Sequence, residues 1–492
     1  MAADHLLALD AGTSGARCLI ARPGTGTVAS ARRDWSYDMP PEIAPFGRAI
    51  DTERFWSTLC DASRSALAGA GMSGGDIAAV AVTAQRLAVV IVDAGGQALY
   101  AGPNIDVRAL REGLTIDAQH AGRVYRSCGK LPSLLLGPAR VQWLRNERPD
   151  DFARAAAVLT LGDWMAYRLT GELRAERTLN ADSGLLDVTT LERDGELLDA
   201  LEVPAELLPP LVSAGDVVGE VTGGAAEAAG LAKGTPVVIA GSDTQVALSG
   251  LGIEEPGETG IAAGWSCPLQ QVTDAPLLDA AKRTWVCIHP TPGRWTVESS
   301  ATDAGRIWRW WCDLLAGDPD EASTLAAQGA PGAGGLSAHL GPRPMNAAAM
   351  GPYLGGLVTM TPVNTEALGR GELLRAVLEN IAFALRANLA QAQEVSGLTA
   401  TRVALGGGLT RASAFPSIVA SVFGRAIDLS TEVDVTGWGA ARIAGRAAGI
   451  DLPPARSRCV EPDAAAIETY ARLYERWRRL SDGLDALREG LP

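Results

Sequence analysis

Val237-Val238-Ile239-Ala240-Gly241-Ser242-Asp243-Thr244 is the stretch on which the reading of this chain turns. Four apolar residues, three of them β-branched, stop at a Gly-Ser-Asp turn, and Gln245-Val246-Ala247-Leu248 resumes with helical character. The pattern predicts a buried strand that ends at Gly241 and delivers one carboxylate at its tip. Open α/β sheets bind ligands just outside the carboxyl ends of their strands, which puts Asp243 where chemistry would be done. Asp is also a routine N-cap, and on this stretch alone the residue reads first as a cap on the following helix.

Around that stretch lie 492 residues, too many for one hydrophobic core, so two or three domains are expected. Apolar residues make up 47% and charged residues 20%, an ordinary balance for a globular protein. The formal charge of -14 argues against nucleic acid or an anionic membrane as partner. An anionic small ligand would then depend on local positive features, such as backbone N–H groups or a metal ion. Met1-Ala2-Ala3-Asp4-His5 has no basic signal-peptide start, and no apolar run is long enough to span a bilayer. Seven cysteines, an odd number without CxxC spacing, fit a reduced cytoplasmic thiol set. Four scattered histidines make a His-built metal site or triad an unfavoured reading.

In chain order, Leu6–Asp10 predicts a strand, Ala11-Gly12-Thr13-Ser14-Gly15 a tight turn, and Ala16–Ala21 a second strand. Such a Gly/Ser/Thr turn can offer N–H groups and hydroxyls to a phosphate, and Asp10 at the strand end could orient a hydrated Mg²⁺. It also reads as a plain β-turn. A helix is expected over 55–70, with strands at 77–83 and 88–92. Gln85 and Arg86 at a strand end, with Asp106 and Arg108 at a helix start, suit either a pocket for a hydroxylated substrate or a surface ion pair. Thr178–Asp187 reads as a polar loop, Gly260–Ser266 as a second small-residue turn between strands, and Trp308, Trp310 and Trp311 as packing residues. Glu372–Gln393 is a long amphipathic helix, Val403–Leu405 a strand into Gly406-Gly407-Gly408, and residues 463–490 a charged terminal helix. Each half repeats one plan, which predicts a duplicated α/β unit with its boundary just after Asp243.

These motifs, in this order, resemble the FGGY family of carbohydrate kinases along essentially the whole chain. Leu9–Ser14 looks like the family's first phosphate loop, Asn104–Arg108 like its sugar-binding Asp-x-Arg segment, and Gly241–Gln245 like the turn bearing its catalytic base. Gly341-Pro342-Arg343-Pro344 resembles a Gly-Glu-Arg-x-Pro stretch with Pro342 in place of Glu, and Leu405–Gly408 through Gly424 resembles the adenosine-binding strand–loop–helix. The resemblance implies a two-domain, actin-like (ribonuclease H-like) duplicated α/β fold with ATP and sugar in the interdomain cleft. Residues 1–246 would form the sugar-binding domain and 247–492 the nucleotide-binding domain.

By the same resemblance, Asp243 is the catalytic base and also contacts substrate, and Gln85, Arg86, Asp106 and Arg108 bind substrate. Asp10, Thr13, Ser14 and Gly264 meet the phosphates, while Gly406, Gly407, Gly408, Ala412 and Ser413 meet the nucleoside. Asp10 and Asp243 would hold Mg²⁺ through water. The implied reaction moves the γ-phosphate of ATP to a primary hydroxyl of a small sugar, ketose or polyol in the cytoplasm, and homodimers are among the implied assemblies. Asn104–Glu112, Val124–Gly129 and Gly162–Leu173 are similar to the family's autoinducer-2 kinases, which favours a small linear polyhydroxy ketone or a pentulose. Xylulokinase or glycerol kinase activity is the alternative. Leu87 stands where glycerol kinases carry Glu, and Gly264-Trp265-Ser266 puts an indole where the family carries Thr. The second departure keeps open a binding sensor without transfer, and the fold also admits an actin- or chaperone-type ATPase.

Overall fold

A computed structural model of the chain describes residues 4–362 and 365–489. Met1–Ala3 of the expected N-terminal segment and Gly490 of the expected terminal helix lie outside the described residues. The chain divides into two compact units. The first comprises the residues up to Glu254 together with Thr273–Thr296 and Val435–Ala455; the second comprises Glu255–Val272, Val297–Asp434 and the residues from Arg456 on. A cut by compactness therefore differs from the halves 1–246 and 247–492. The physical reason is visible in the first unit, where helix Val435–Ala448 supplies Trp438, Ala441 and Ala444 to one face of the sheet.

The first unit's sheet runs, in spatial order, Val217–Glu220, Pro236–Ser242, Ile77–Ala84, His5–Gly12, Gly15–Arg22, Gly26–Asp34. Three central strands are parallel neighbours, His5–Gly12 beside Ile77–Ala84 and Ile77–Ala84 beside Pro236–Ser242. The hairpin Gly15–Arg22 on one side and Val217–Glu220 on the other pair antiparallel. Because helices cover both faces, these strands are apolar throughout instead of alternating. Leu7, Leu9, Val80, Val82, Val237 and Ile239 face helix Thr52–Ala70 and its neighbours, whereas Leu6, Ala8, Ala79, Ala81, Val238 and Ala240 face helix Val435–Ala448. Each fully buried Val or Ile contributes about 1.5–3 kcal/mol, so the β-branched run that opened the sequence reading is also a principal source of cohesion.

The second unit repeats the plan: Trp295–Ser300, Pro268–Thr273, Thr259–Ala262, Val403–Gly406, Ile427–Ser430, Ser457–Val460. Thr259–Ala262, Val403–Gly406 and Ile427–Ser430 are again parallel neighbours, and Ser457–Val460 closes the edge antiparallel. The predicted duplication is thus present in the three parallel strands and the antiparallel neighbour on either side of them.

Two local expectations change. Thr178–Asp187 is not a polar loop: Arg177–Asp182 is a short helix, and Thr178 to Leu186 are buried. Its helix forms because the Glu176 carboxylate accepts from Thr178 N and Leu179 N, satisfying the first-turn donors. In helix Ala304–Leu315, Trp308 and Trp311 pack inward as expected, but Trp310 is 53% exposed. None of the seven cysteines is in a disulfide. Among the described residues, no helix is long and apolar enough to cross a membrane.

Candidate active site

The first unit brings the expected carboxylates to one edge of one sheet. Asp10 is in register with Thr83, and Thr83 with Gly241 on the next strand. Strand spacing puts Asp10 and Gly241 about 10 Å apart, with Asp243 two residues beyond. The Thr83 hydroxyl donates to the Gly241 carbonyl at 2.8 Å and fixes the level of the turn. Gly241 has φ +107°, and a Cβ there would sit 2.5 Å from Thr178 Oγ1, so only glycine fits. Ser242 takes the N-cap position and Asp243 is the first residue of helix Asp243–Leu251, one place past the cap that the sequence alone allowed. The Thr244 hydroxyl donates to Asp243 Oδ1 at 3.0 Å. Burial pushes the Asp243 carboxyl above its ordinary range; Arg86 and Thr244 pull it down, and Asp182 adds to the upward shift.

Asp10 is buried and lies 3.3 Å from the Arg17 guanidinium. At the hairpin turn, Tyr37 OH donates to the Thr13 carbonyl at 2.6 Å, and Asn104 Nδ2 donates to Thr13 Oγ1 at 2.8 Å. Arg32 Nη2 donates to Ser14 Oγ at 3.1 Å. The turn is therefore held from outside, which leaves its shape fixed before any ligand arrives. Among the described residues no cluster of three or more His, Cys, Asp or Glu side chains could hold a metal ion. Two carboxylates at strand ends suit Mg²⁺ that arrives on phosphate oxygens and keeps its waters, and do not make a protein cage.

Gln85, Asp106 and Arg108 sit differently from open substrate donors. Gln85 is 1% exposed, with Nε2 donating to Gly12 O and Tyr37 OH and Oε1 accepting from Asn104 N. Asp106 is equally buried and accepts from Arg48 N at 2.9 Å, from Arg108 Nε at 2.9 Å and from Tyr100 OH. Arg108 lies over the rings of Tyr100 and Trp143, 4.7 and 5.2 Å from their centroids. The Asp106–Arg108 pair is thus a buried strut, not the surface ion pair that the sequence also allowed. Arg86 is the member of the set that acts on Asp243; its guanidinium lies 5.2 Å from the centroid of the Trp285 ring.

Sequence reading missed the polar layer beneath the Asp243 turn. Lys130 and Asp182, both fully buried, pair at 3.0 Å, and Gln245 Nε2 donates to Asp182 Oδ2 at 2.8 Å. Ser242 N donates to Thr178 Oγ1 at 2.9 Å, and that hydroxyl donates to Glu176 Oε2 at 2.7 Å. One signal was available: Lys130 is one of only three lysines in a chain rich in arginine, and it falls in the apolar stretch Cys128–Leu131. Burial lifts the Glu176 carboxyl from 4.5 to about 7, with hydrogen bonds from Thr178 pulling the other way. A carboxyl lifted on folding stabilises fully below its unfolded value, and that contribution fades as pH rises through the folded one. Thermal unfolding of the native chain should therefore lose stability between pH 4.5 and about 7 through this group. Glu176→Gln should flatten that part of the melting-temperature profile, and an unchanged slope would remove Glu176 as its source.

In the second unit the glycine turn and the second small-residue turn touch. Ala263 N donates to Gly406 O at 2.6 Å, Leu409 N donates to Ala263 O at 2.9 Å, and a Cβ on Gly407 would meet Ala263 O at 2.8 Å. Gly264 and Gly408 are exposed beside this junction, Ala412 is buried, and Ser413 N donates to Ser323 Oγ at 2.9 Å. The Trp265 carbonyl accepts from Gly305 N at 3.0 Å while its indole is 42% exposed. Gly264 and Gly408 thus stand exposed beside a junction that Ala263 and the buried Gly406 hold together, and Ser413 is exposed as well.

The model for the N-terminal domain of the FGGY family of carbohydrate kinases matches residues 5–250, and that for the C-terminal domain matches residues 264–448. A protein named autoinducer-2 kinase from Escherichia coli is 29% identical, covering 99% of this chain and 96% of that protein. One of the same name from Yersinia enterocolitica is 30% identical over 91% of this chain and 87% of its own length. The solved structure of a xylulose kinase from Rhodospirillum rubrum superposes with TM-score 0.84 at 25% identity, covering 98% of this chain and 99% of that one. A Plasmodium falciparum glycerol kinase with ADP shares the fold, with TM-score 0.82 at 18% identity over 97% of this chain and 98% of that one.

Proposed function

The chain belongs to the FGGY family of carbohydrate kinases and is an ATP-dependent sugar kinase, and from that premise we propose that Asp243 is its catalytic base. The single observation that carries the reading is the sheet edge on which Asp10 and the Gly241–Asp243 turn stand two strands apart, with Arg86 acting on Asp243. Phosphoryl transfer asks a protein mainly to position groups and neutralise charge. Thr13 and Ser14 would meet the β- and γ-phosphates with N–H and hydroxyl groups, and Gly264 would meet them with backbone. Gly406, Gly407, Gly408, Ala412 and Ser413 would seat the nucleoside. Mg²⁺, when bound, would neutralise charge on the phosphate oxygens, with Asp10 and Asp243 reaching it through water.

The substrate's primary hydroxyl would lie against Asp243, which takes its proton as that oxygen attacks the γ-phosphorus. Arg86 would donate to substrate hydroxyls directly. Gln85, Asp106 and Arg108, whose polar atoms are engaged within the protein, would shape the pocket from behind. Similarity to proteins named autoinducer-2 kinase supports a small linear polyhydroxy ketone as the favoured substrate, with pentuloses next. The proposal includes a cytoplasmic location and a homodimer, the latter tested by light scattering. The test of function is ADP release with autoinducer-2, pentuloses and polyols. Activity confined to xylulose or glycerol would move the assignment to those kinases, and sugar-independent hydrolysis would sink the kinase mechanism proposed here.

Trp265 offers a separate measurement. An exposed indole adds little to stability, so Trp265→Thr should leave the melting temperature nearly unchanged. If the γ-phosphate sits at this turn, the new hydroxyl should raise turnover about 2–10-fold, the worth of one hydrogen bond. A fall in turnover would instead make the indole part of the nucleotide's seat.

A further inference from the structure

Asp243 begins its helix at a turn that is gripped on both sides by the short helix Arg177–Asp182. At one end, Thr178 Oγ1 accepts from Ser242 N, the residue before Asp243. At the other, Asp182 accepts from the side chain of Gln245, two residues after it. Asp182 is fully buried, and a buried carboxylate persists only when another charge or several donors compensate it. Lys130 does so at 3.0 Å, and its ammonium also donates to the Val286 carbonyl at 2.6 Å. That bond ties the pair to strand Trp285–Ile288, whose Trp285 carries the Arg86 guanidinium on its ring. One buried ion pair thus connects the two groups assigned to the substrate, Asp243 and Arg86, through opposite ends of a single network.

We propose that Asp182, paired with Lys130, is a positioning residue for Asp243: its carboxylate fixes Gln245 and so the aim of the turn. This rests on Asp243 being the base. Burial would raise the Asp182 carboxyl, but Lys130 and Arg86 hold it below the usual range, so it carries its charge throughout the working pH range. The charged groups facing Asp243 are Arg86 from the strand-end turn and Asp182 from the short helix. Helix Val435–Ala448 meets Asp243 with the Thr436 hydroxyl, and its Arg442 is engaged farther along with Ser249 O and Glu254.

The test is Asp182→Asn in the full chain, assayed as sugar-dependent ADP release across pH. The amide keeps an acceptor for Gln245 and removes only the charge. The neutral acceptor holds Gln245 more weakly, so kcat should fall about 2–10-fold with KM for ATP unmoved. Should that variant not fold because Lys130 is stranded, the Lys130→Met/Asp182→Asn pair removes both charges and carries the same expectation. Gln245→Leu removes the strut and keeps the charges; kcat should fall about tenfold or more, with KM for ATP unmoved. A purely structural role would lower the melting temperature and leave kcat at its native value, and that result overturns the proposal. Asp243→Asn run alongside separates the two ideas. Retained turnover there defeats Asp243 as base, whereas an inactive Asp243→Asn beside native behaviour in the other variants defeats only the role of Asp182.

Discussion

Asp243→Asn should reduce sugar-dependent ADP release by about 10²–10⁴-fold while ATP binding, followed by calorimetry, persists. The expected range follows from what a positioned carboxylate does for an alcohol nucleophile. The hydroxyl is a weak acid, so proton transfer comes late and is worth less than the alignment of the phosphates. The amide preserves shape, including an acceptor for the Thr244 hydroxyl, and removes only the charge. Because burial holds the native carboxyl above its ordinary value, the acid limb of the native profile should lie above that of a solvated aspartate. Undiminished turnover by Asp243→Asn would remove the residue from the chemistry.

The second large effect concerns stability. Asp106→Ala should destabilise the first unit by about 3–5 kcal/mol, because it leaves the Arg108 guanidinium buried without its counter-charge. Arg108 cannot swing out to water readily, since it is packed over Tyr100 and Trp143. Arg48 N and Tyr100 OH would lose their acceptor as well, so the loss spreads over several partners. Chemical denaturation should register the loss, and replacing Asp106 and Arg108 together by apolar residues should recover part of it. Should Asp106→Ala instead raise the sugar KM with stability intact, Asp106 contacts substrate directly and the strut interpretation falls.

Strands, glycine turns and the order of motifs were legible in the sequence because each is written locally. A β-branched run with no polar interruption can only be a strand covered on both faces, and Gly241 and Gly407 occupy backbone conformations or close approaches that a side chain would obstruct. The repeated sequence of hairpin, strand and glycine turn sufficed to predict the duplication that the two sheets display. What a polar residue does with its atoms was not local. Gln85 and Asp106 stand in segments that read as ligand-facing, yet their partners come from Gly12, Tyr37, Arg48 and Tyr100, brought together by the sheet and the packing around it.

The layer beneath the Asp243 turn makes the same division sharper. Thr178–Asp187 reads as a solvated loop because it is rich in polar residues, and nothing nearby in the chain announces that Glu176 will cap it or that Lys130 will neutralise Asp182. By itself the sequence determined the strands, the turns and the family, and it set Asp243 at the tip of a strand, since those depend on residue type at short spacing. Tertiary structure alone decided which charges are buried, which are paired and which act on Asp243, because burial and pairing are set by residues 52 and 63 positions away from Asp182 and Gln245 respectively, not by neighbours in the chain.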